Sequence, residues 1–496
     1  MQNAKSITPL LRQKFHACFE SSAQNKLVQR AVISHGIDSV AVDKDLLRTI
    51  DPLTFSVDNF SYPVTNQKAS GRCWLFAALN LYRTYAIEKM GLKSGKFEFS
   101  QNYLFFFDKF ERSNYFFEAI IETANLKLDD RLVSHLLDAP LDDGGQWSHF
   151  ANIVSKYGLI PKQAMGETKS SSATRRMNGI LLLQLRQGAS QLRTLINDKL
   201  GGNAQDPAVQ ALKQELLETI YRTLCIHLGT PPSTFEWQWR TSSKEFHRLN
   251  PENPESASGS STSDASSSSS SDASSSSTIP PIYAVTPQQF AEAYAPKDEY
   301  VCLVHDPRET SPYNATATVK YLGNVVGGKP VLYLNLPIEK IKELTAKALK
   351  RGEAVWFGCD VGKQIDRASG VWDANILRYD QVYQCDRFLA DKKTRLLYHM
   401  SAMTHAMLFV GVDLDNDVPI KWKVENSWGE DRGNKGYYCM NDSWFDDYVF
   451  EVAVKKTDLS DELIKVLEET KPIELPPWDP LGALAKETPQ KGYEML

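Results

Sequence analysis

The 496-residue chain carries 42% hydrophobic and 24% charged residues, the balance of a soluble globular protein long enough to bury a large core. Its 56 Lys plus Arg against 61 Asp plus Glu leave a net charge of −5, which removes any general pull toward phosphate backbones or anionic membranes. No apolar run approaches the roughly 18 residues that span a bilayer, and seven scattered cysteines without a CxxC pair argue against a disulfide framework or a zinc site.

The opening MQNAKSITPLLRQKF has charges and a proline where a secretory signal needs an apolar stretch, so a reducing, cytosol-like compartment is expected. Residues 1–50 read as an amphipathic helix with a polar turn and a short loop, followed by strand-like and turn-like residues in DPLTFSVDNFSYPVTNQ. From Cys73 to Met90 there is no Gly or Pro, while Trp74, Ala77, Ala78, Leu81 and Tyr85 recur at helical spacing and Gly91 supplies a stop. Cys73 is therefore expected at a helix N-terminus. Helical patterns continue through FSQNYLFFFDKF and SHFANIVSKYGL, interrupted by the turn-rich LDDGGQW, and again over residues 170–225.

Residues 256–278 hold 15 serines in 23 positions and cannot bury enough apolar area to offset ordering entropy; a flexible surface loop is expected there. Beyond it the composition turns to strands, in YVCLVHD, KPVLYLNLP, AVWFGCDV, AMLFVGVDL, KWKVENSW, GYYCM and YVFEVAV, with one strong helix, IEKIKELTAKALKRG. A helix-rich first half and a strand-rich second half imply an α+β enzyme with a site between lobes.

Cys73 is either a packed apolar residue, as free cysteines usually are, or a nucleophile. A nucleophile needs a base, a group that orients the base, and donors for an oxyanion. The start of a helix lowers a thiol pKa, and Gln67, six positions earlier, offers a side-chain amide beside the backbone NH of Cys73. His405 opens the apolar strand in SAMTHAMLFVGV, where an imidazole faces either a cleft or the core. Asn426, 21 positions later in NSWG, is either a turn residue or the acceptor that fixes the imidazole tautomer.

Gln67, GRCW at 71–74, THAM at 404–407 and ENSWGEDRGNKGYY at 425–438 resemble, in chain order, the papain-like cysteine peptidases. The residues before Cys73 are Gly-Arg with no partner cysteine upstream. The 332 positions from Cys73 to His405 far exceed the roughly 130–150 of papain-like enzymes, so a large insertion is implied. These departures, with LDDGGQW, DVGKQIDRASGVWDANIL, KVENSWGEDRGNKGYYCMNDSWFDDYV and WDPLGALA, resemble the bleomycin hydrolase branch over nearly the whole chain.

That resemblance implies a papain-like two-lobe fold with a large helical insertion and N- and C-terminal extensions. The implied division is an N-terminal helical arm over 1–50, a helical lobe over 51–165, a helical insertion over 166–285 containing the Ser-rich loop, a strand-rich lobe over 286–455, and a C-terminal helix and arm over 456–496 that reaches the cleft. It further implies a cytosolic thiol aminopeptidase acting on peptides with a free N-terminus, a homohexameric barrel, hydrolysis of the bleomycin carboxamide, and no cofactor or metal. By position, Cys73 is the nucleophile, His405 the acid and base, Asn426 the orienter and Gln67 the oxyanion donor. Trp428 shields the His/Asn bond or simply packs, and Gly144 and Gly145 pair with the substrate backbone or form a plain turn. Ala485 is where the branch's C-terminal arm usually ends. Here KETPQKGYEML follows, and its residues are trimmed by the site, folded out of the cavity, or inhibitory. The rival expectation is a barrel that binds single-stranded nucleic acid or unfolded peptides. Net charge, and the absence of any basic run beyond pieces such as KALKR, weigh against nucleic acid.

Overall fold

The computed structural model describes residues 5–92, 95, 97–252, 281–385 and 390–486. The expected Ser-rich loop at 256–278, and the tail beyond Lys486, lie outside the described residues.

The N-terminal segment forms four helices, α1 (Pro9–Glu20), α2 (Ala23–His35), α3 (Ile37–Ala41) and α4 (Lys44–Thr49). The sequence suggested a single helix and a loop; the breaks fall where Ser22, Gly36 and Asp43 act as caps, with Ser22 and Asp43 accepting from backbone N–H groups of the helix that follows. After the short strand β1 (Val57–Asp58) come α5 (Cys73–Lys89), α6 (Gln101–Glu122), α7 (Arg131–Asp138), α8 (Trp147–Tyr157), α9 (Lys169–Ser172), α10 (Arg175–Thr194) and α11 (Pro207–Leu228). A two-stranded ribbon, β2 (Gln238–Arg240) with β3 (Phe246–Arg248), and α12 (Pro287–Tyr294) lie on either side of the Ser-rich stretch. Phe235 and Val285, one before and one after that stretch, exchange both backbone hydrogen bonds at 2.9 and 2.8 Å.

The remaining strands are β4 (Tyr300–Val304), β5 (Ala315–Val319), β6 (Tyr333–Asn335), β7 (Val355–Cys359), β8 (Ile365–Asp366), β9 (Val371–Trp372), β10 (His405–Asp415), β11 (Val418–Glu425), β12 (Tyr437–Asn441), β13 (Val449–Lys455) and β14 (Ile473–Leu475), with α13 (Ile338–Lys350) between β6 and β7. They form one sheet in the order β14-β5-β6-β4-β13-β7-β10-β11-β12-β9-β8, with β1 also paired to β10.

Alternation along the central strands divides the interior. Trp356, Ala406, Leu408 and Val410 face a core shared with α5, α6 and α8, while Val355, Phe357, Met407 and Phe409 face a second core under α13. The sheet is thus covered on both faces, which explains why AMLFVGV reads as a continuous apolar run. Helix α5 is enclosed by α6, α8 and α12 on one side and by β7 and β10 on the other. Its first two turns, residues 73–79, are apolar and buried on every side. The Trp356 indole donates to the carbonyl of Trp74 at 3.1 Å, tying β7 to the first turn of α5. Among the described residues, no helix is long and apolar enough to cross a membrane.

One buried carboxyl within this sheet carries a stability signature. Burial pushes Glu451 on β13 up to about 7, with only partial relief from a hydrogen bond with Cys302. The folded chain keeps this proton to about pH 7, whereas the unfolded chain releases it near 4.5. Between those values the folded state holds more protons, so stability falls as pH rises through the window. Glu451→Gln should remove on the order of 2–3 kcal/mol of that fall between about pH 5 and pH 8. Urea midpoints of both proteins across the range check it, and equal pH slopes would exclude the effect.

Candidate active site

Cys73 is the first residue of α5 and is fully buried. No side chain caps the helix; Arg72 occupies the N-cap position and is itself buried. The Arg72 guanidinium makes a bidentate pair with Glu167 at 3.0 and 2.7 Å, donates to Ser70 Oγ at 2.9 Å, and lies over the rings of Phe76 and Phe105. This fork fixes the loop that delivers Cys73 to the end of the helix.

His405 begins β10, and its ladder partner on β7 is Cys359. The Cys359 thiol is pushed well above its usual range, by burial first and then by Asp360 and by Cys73. Cys73 therefore lies beside the strand pair that starts with His405. The ring of His405 is fully buried, and its Nε2 lies 2.9 Å from Asn426 Oδ1. That oxygen also accepts the backbone N–H of Ser427 at 2.7 Å, which fixes the amide orientation. Nε2 must then carry the hydrogen, and Nδ1, buried and without a hydrogen-bond partner, keeps its lone pair. Burial pushes the imidazole down to about 4 against the raising effect of the Asn426 bond, so the ring is neutral near pH 7. The Trp428 ring sits 4.9 Å from the His405 ring, centroid to centroid.

Gln67 is fully buried. Its Nε2 donates to Ser70 O at 2.6 Å, and its Oε1 accepts from Ser427 Oγ at 2.7 Å. Because Gln67 N also donates to Ser427 O at 2.9 Å, the loop before Cys73 is stitched to the residue following Asn426.

The C-terminal arm enters this site through a chain of anchors. The Arg131 guanidinium lies 3.8 Å over the Trp478 ring, Asp479 makes a bidentate pair with Arg308, and Tyr333 donates to Leu481 O at 3.0 Å. Gln146 Nε2 then donates to Ala483 O at 2.6 Å. Gly145 and fully buried Ala485 exchange backbone bonds as an antiparallel pair at 3.2 and 3.3 Å. Lys486 N donates to Thr404 O, next to His405, at 2.9 Å. A Cβ on Gly144 would stand 2.8 Å from Lys486 Cβ, and one on Gly145 would overlap the Trp74 indole. Both positions accordingly need glycine.

Two residues that sequence reasoning passed over hold these parts together. Asp143, read only as part of a turn, is buried and accepts from Lys109 Nζ at 2.6 Å, Asn178 Nδ2 at 2.7 Å, Thr174 Oγ1 and Gly71 N at 3.2 Å. Its own carbonyl accepts the Trp74 indole N–H at 2.8 Å. Burial alone would raise the Asp143 carboxyl, but Lys109, Thr174 and Asn178 outweigh it and hold the group well below the usual carboxylate range. Glu425, which precedes Asn426, accepts from Asn80 Nδ2 on α5 at 2.8 Å and joins the strand of the orienter to the helix of the thiol. The only signal for either in the sequence was a charged residue beside a candidate. Among the described residues, no group of three or more His, Cys, Asp or Glu side chains is arranged to hold a metal ion.

A thiol at a helix start, an imidazole with one nitrogen committed to an asparagine, and an extended segment paired to Gly145 thus come together on an α+β fold. The chain belongs to the Peptidase C1-like family, which matches residues 6–257 and 276–482, in its bleomycin hydrolase and aminopeptidase C branch. Bleomycin hydrolase of Homo sapiens is 38% identical, covering 98% of this chain and 99% of its own. Aminopeptidase C of Lactobacillus delbrueckii subsp. lactis is 42% identical over 88% of this chain and 89% of its own. The crystal structure of PepW from Lactobacillus rhamnosis HN001 superposes with a TM-score of 0.86 at 41% identity, covering 98% of this chain and all of that one.

Asp143→Ala would leave the Lys109 ammonium buried without its counter-charge, a loss of about 3–5 kcal/mol. Chemical denaturation should show it, and adding Lys109→Met should recover part of the loss. A double variant no more stable than Asp143→Ala would contradict the pairing.

Proposed function

We propose that the protein is a cysteine aminopeptidase in which Cys73 is the nucleophile and His405 moves the proton. The observation that carries the reading is the backbone pairing of Ala485 with Gly145. Once Lys486 and the residues after it are removed, the arm fills the cleft only up to Ala485, so a peptide enters amino end first and presents its first residue to the thiol.

In the first step the neutral His405 Nδ1 takes the Cys73 proton as sulfur bonds to the scissile carbonyl carbon. The resulting oxyanion is met by the Gln67 amide and the Cys73 N–H. His405 returns the proton to the departing amine, the C–N bond breaks, and a thioester remains. Water, losing its proton to His405, then adds to the thioester and releases the acid and the thiol. Asn426 holds the tautomer that keeps Nδ1 toward sulfur, and Trp428 shields that bond from water.

The names of the relatives support extending the reaction to the bleomycin carboxamide. A reducing cytoplasm is the setting that preserves such a thiol. Self-association, as in a hexameric barrel, finds support in α1 and α2, whose Leu10, Phe15, Leu27 and Ile33 are exposed at 58–78%.

The residues after Ala485 are trimmed by the same site. Lys486 places its carbonyl near Gly71, two residues before Cys73, so that a Cβ on Gly71 would stand 2.7 Å from that oxygen. Trimming would begin beside Lys486 and run back to Ala485.

Two measurements test these readings. A fluorogenic aminoacyl amide should be cleaved at least tenfold faster than its N-acetylated twin, and thiol alkylation should abolish both rates. Equal cleavage of the twins would remove the aminopeptidase restriction, and activity that survives alkylation would remove the cysteine mechanism. Separately, intact-mass spectrometry should find chains ending at Lys486 or Ala485 in active protein and at Leu496 in Cys73→Ala. Leu496 termini in both would sink the trimming.

A further inference from the structure

Lys486 occupies the position that the aminopeptidase reading assigns to a substrate's first residue. Its amide donates to Thr404 O beside His405, and its carbonyl approaches the loop that carries Cys73. Its side chain shows what surrounds the side chain of that first residue. The stem passes between Gly71 and Gly144, where a Cβ on either glycine would stand 3.1 or 2.8 Å from Lys486 Cβ. Beyond this passage the ammonium meets Asp142, with Lys486 Nζ 2.8 Å from Asp142 Oδ2.

From this geometry we infer that Asp142 selects substrates whose first residue is basic, lysine or arginine. The inference rests on the aminopeptidase reading and adds a substrate class to it. The carboxylate is pre-set for the task. Its Oδ1 accepts the Gly144 N–H at 3.1 Å, and the Asp142 carbonyl accepts from Lys109 Nζ at 2.8 Å. One oxygen is thus anchored to the turn, and the other is directed at the side-chain ammonium. Asp143 satisfies Lys109 separately, so the charge of Asp142 is not spent within its own turn. The Asp142 side chain is 23% exposed against 59% for that of Lys486. The acceptor is therefore the more desolvated partner, which strengthens a charge-assisted bond relative to one in open solvent. Glycines at 71 and 144 leave room for a long unbranched stem, and arginine reaches the same carboxylate with a planar fork.

The experiment uses the full chain and a pair of fluorogenic amides, lysyl and norleucyl, the second ending where the ammonium would begin. At low salt, kcat/KM for the lysyl amide should exceed that for the norleucyl amide about fivefold, and the ratio should shrink as ionic strength rises. In Asp142→Asn, which keeps an oxygen for Gly144, the ratio should approach one; Asp142→Glu should restore part of it. Wild-type protein that cleaves both amides equally overturns the inference and leaves the aminopeptidase reading standing, as does a ratio unmoved in Asp142→Asn. Wild-type protein that cleaves neither sinks the reading and this inference with it. If Asp142→Asn does not fold, the wild-type ratio and its salt dependence decide the matter.

Discussion

The buried carboxylate of Asp143 is the constraint on which the site depends. A charge taken out of water must be met from every direction, and here it is met by an ammonium on α6, an amide on α10, the Thr174 hydroxyl and the backbone of Gly71. The donors come from three pieces of chain, α6, the start of α10 with its N-cap Thr174, and the loop before Cys73. Satisfying one carboxylate therefore fixes the nucleophile loop, the double glycine and two helices relative to one another. The Gly71 bond matters most for the chemistry, because it sets the distance between the loop ending in Cys73 and the strand-like edge of Gly144 and Gly145. Cys73 is the one cysteine in the segment from 51 to 90, so no neighbouring thiol cross-links that loop. A polar hub ties that loop in place without a covalent link.

The second requirement is registry between α5 and the sheet, since the thiol rides on one and the imidazole on the other. Three buried contacts supply it. Trp356 reaches the first turn of α5, Asn80 reaches Glu425 from the third turn, and Gln67 is bonded to Ser427 through both side chain and backbone. Burial pushes the Glu425 carboxyl up to about 7, although Arg83, Asn80 and Lys423 all oppose the shift. A group that gives up its proton in the same range as the solution pH is a costly choice for a purely structural link. Its position next to Asn426 couples the cost of that link to the segment holding the imidazole.

Much of the architecture was legible because its signals are local. The helix from Cys73 shows in spacing and in the lack of Gly or Pro. Strands β10 and β11 show in the apolar runs AMLFVGVDL and KWKVENSW, and the hairpin they form turns at Asn416 and Asp417, both with positive φ. That hairpin also explains why His405 and Asn426, 21 positions apart, can hydrogen-bond: the start of one strand lies against the end of the next. The illegible parts are those fixed by distant partners. Nothing in LDDGGQW indicates that its second aspartate is enclosed by Lys109, Thr174 and Asn178. Nothing near Phe235 indicates that it pairs with Val285, 50 positions on. The breaks among the first four helices were missed because caps such as Ser22 and Asp43 are common residues whose role appears only when the backbone turns.

In the proposed reaction the arm does more than cover the cleft. Trp478, Asp479, Leu481 and Ala483 are each held by a separate partner, so the segment reaching Ala485 has little freedom left when it pairs with Gly145. This pre-organisation places the peptide bond between Ala485 and Lys486 against Thr404. If that bond is absent, the same geometry puts a carboxylate on Ala485 beside the amino group of an incoming residue. An ammonium and a carboxylate then replace an amide, at a distance already set by the chain. The attraction is worth more in this desolvated cleft than in water, and it rewards a free amino terminus over a blocked one. In the proposed reaction, the exclusion of residues ahead of the first one and the capture of an amino end would both follow from an arm trimmed to Ala485.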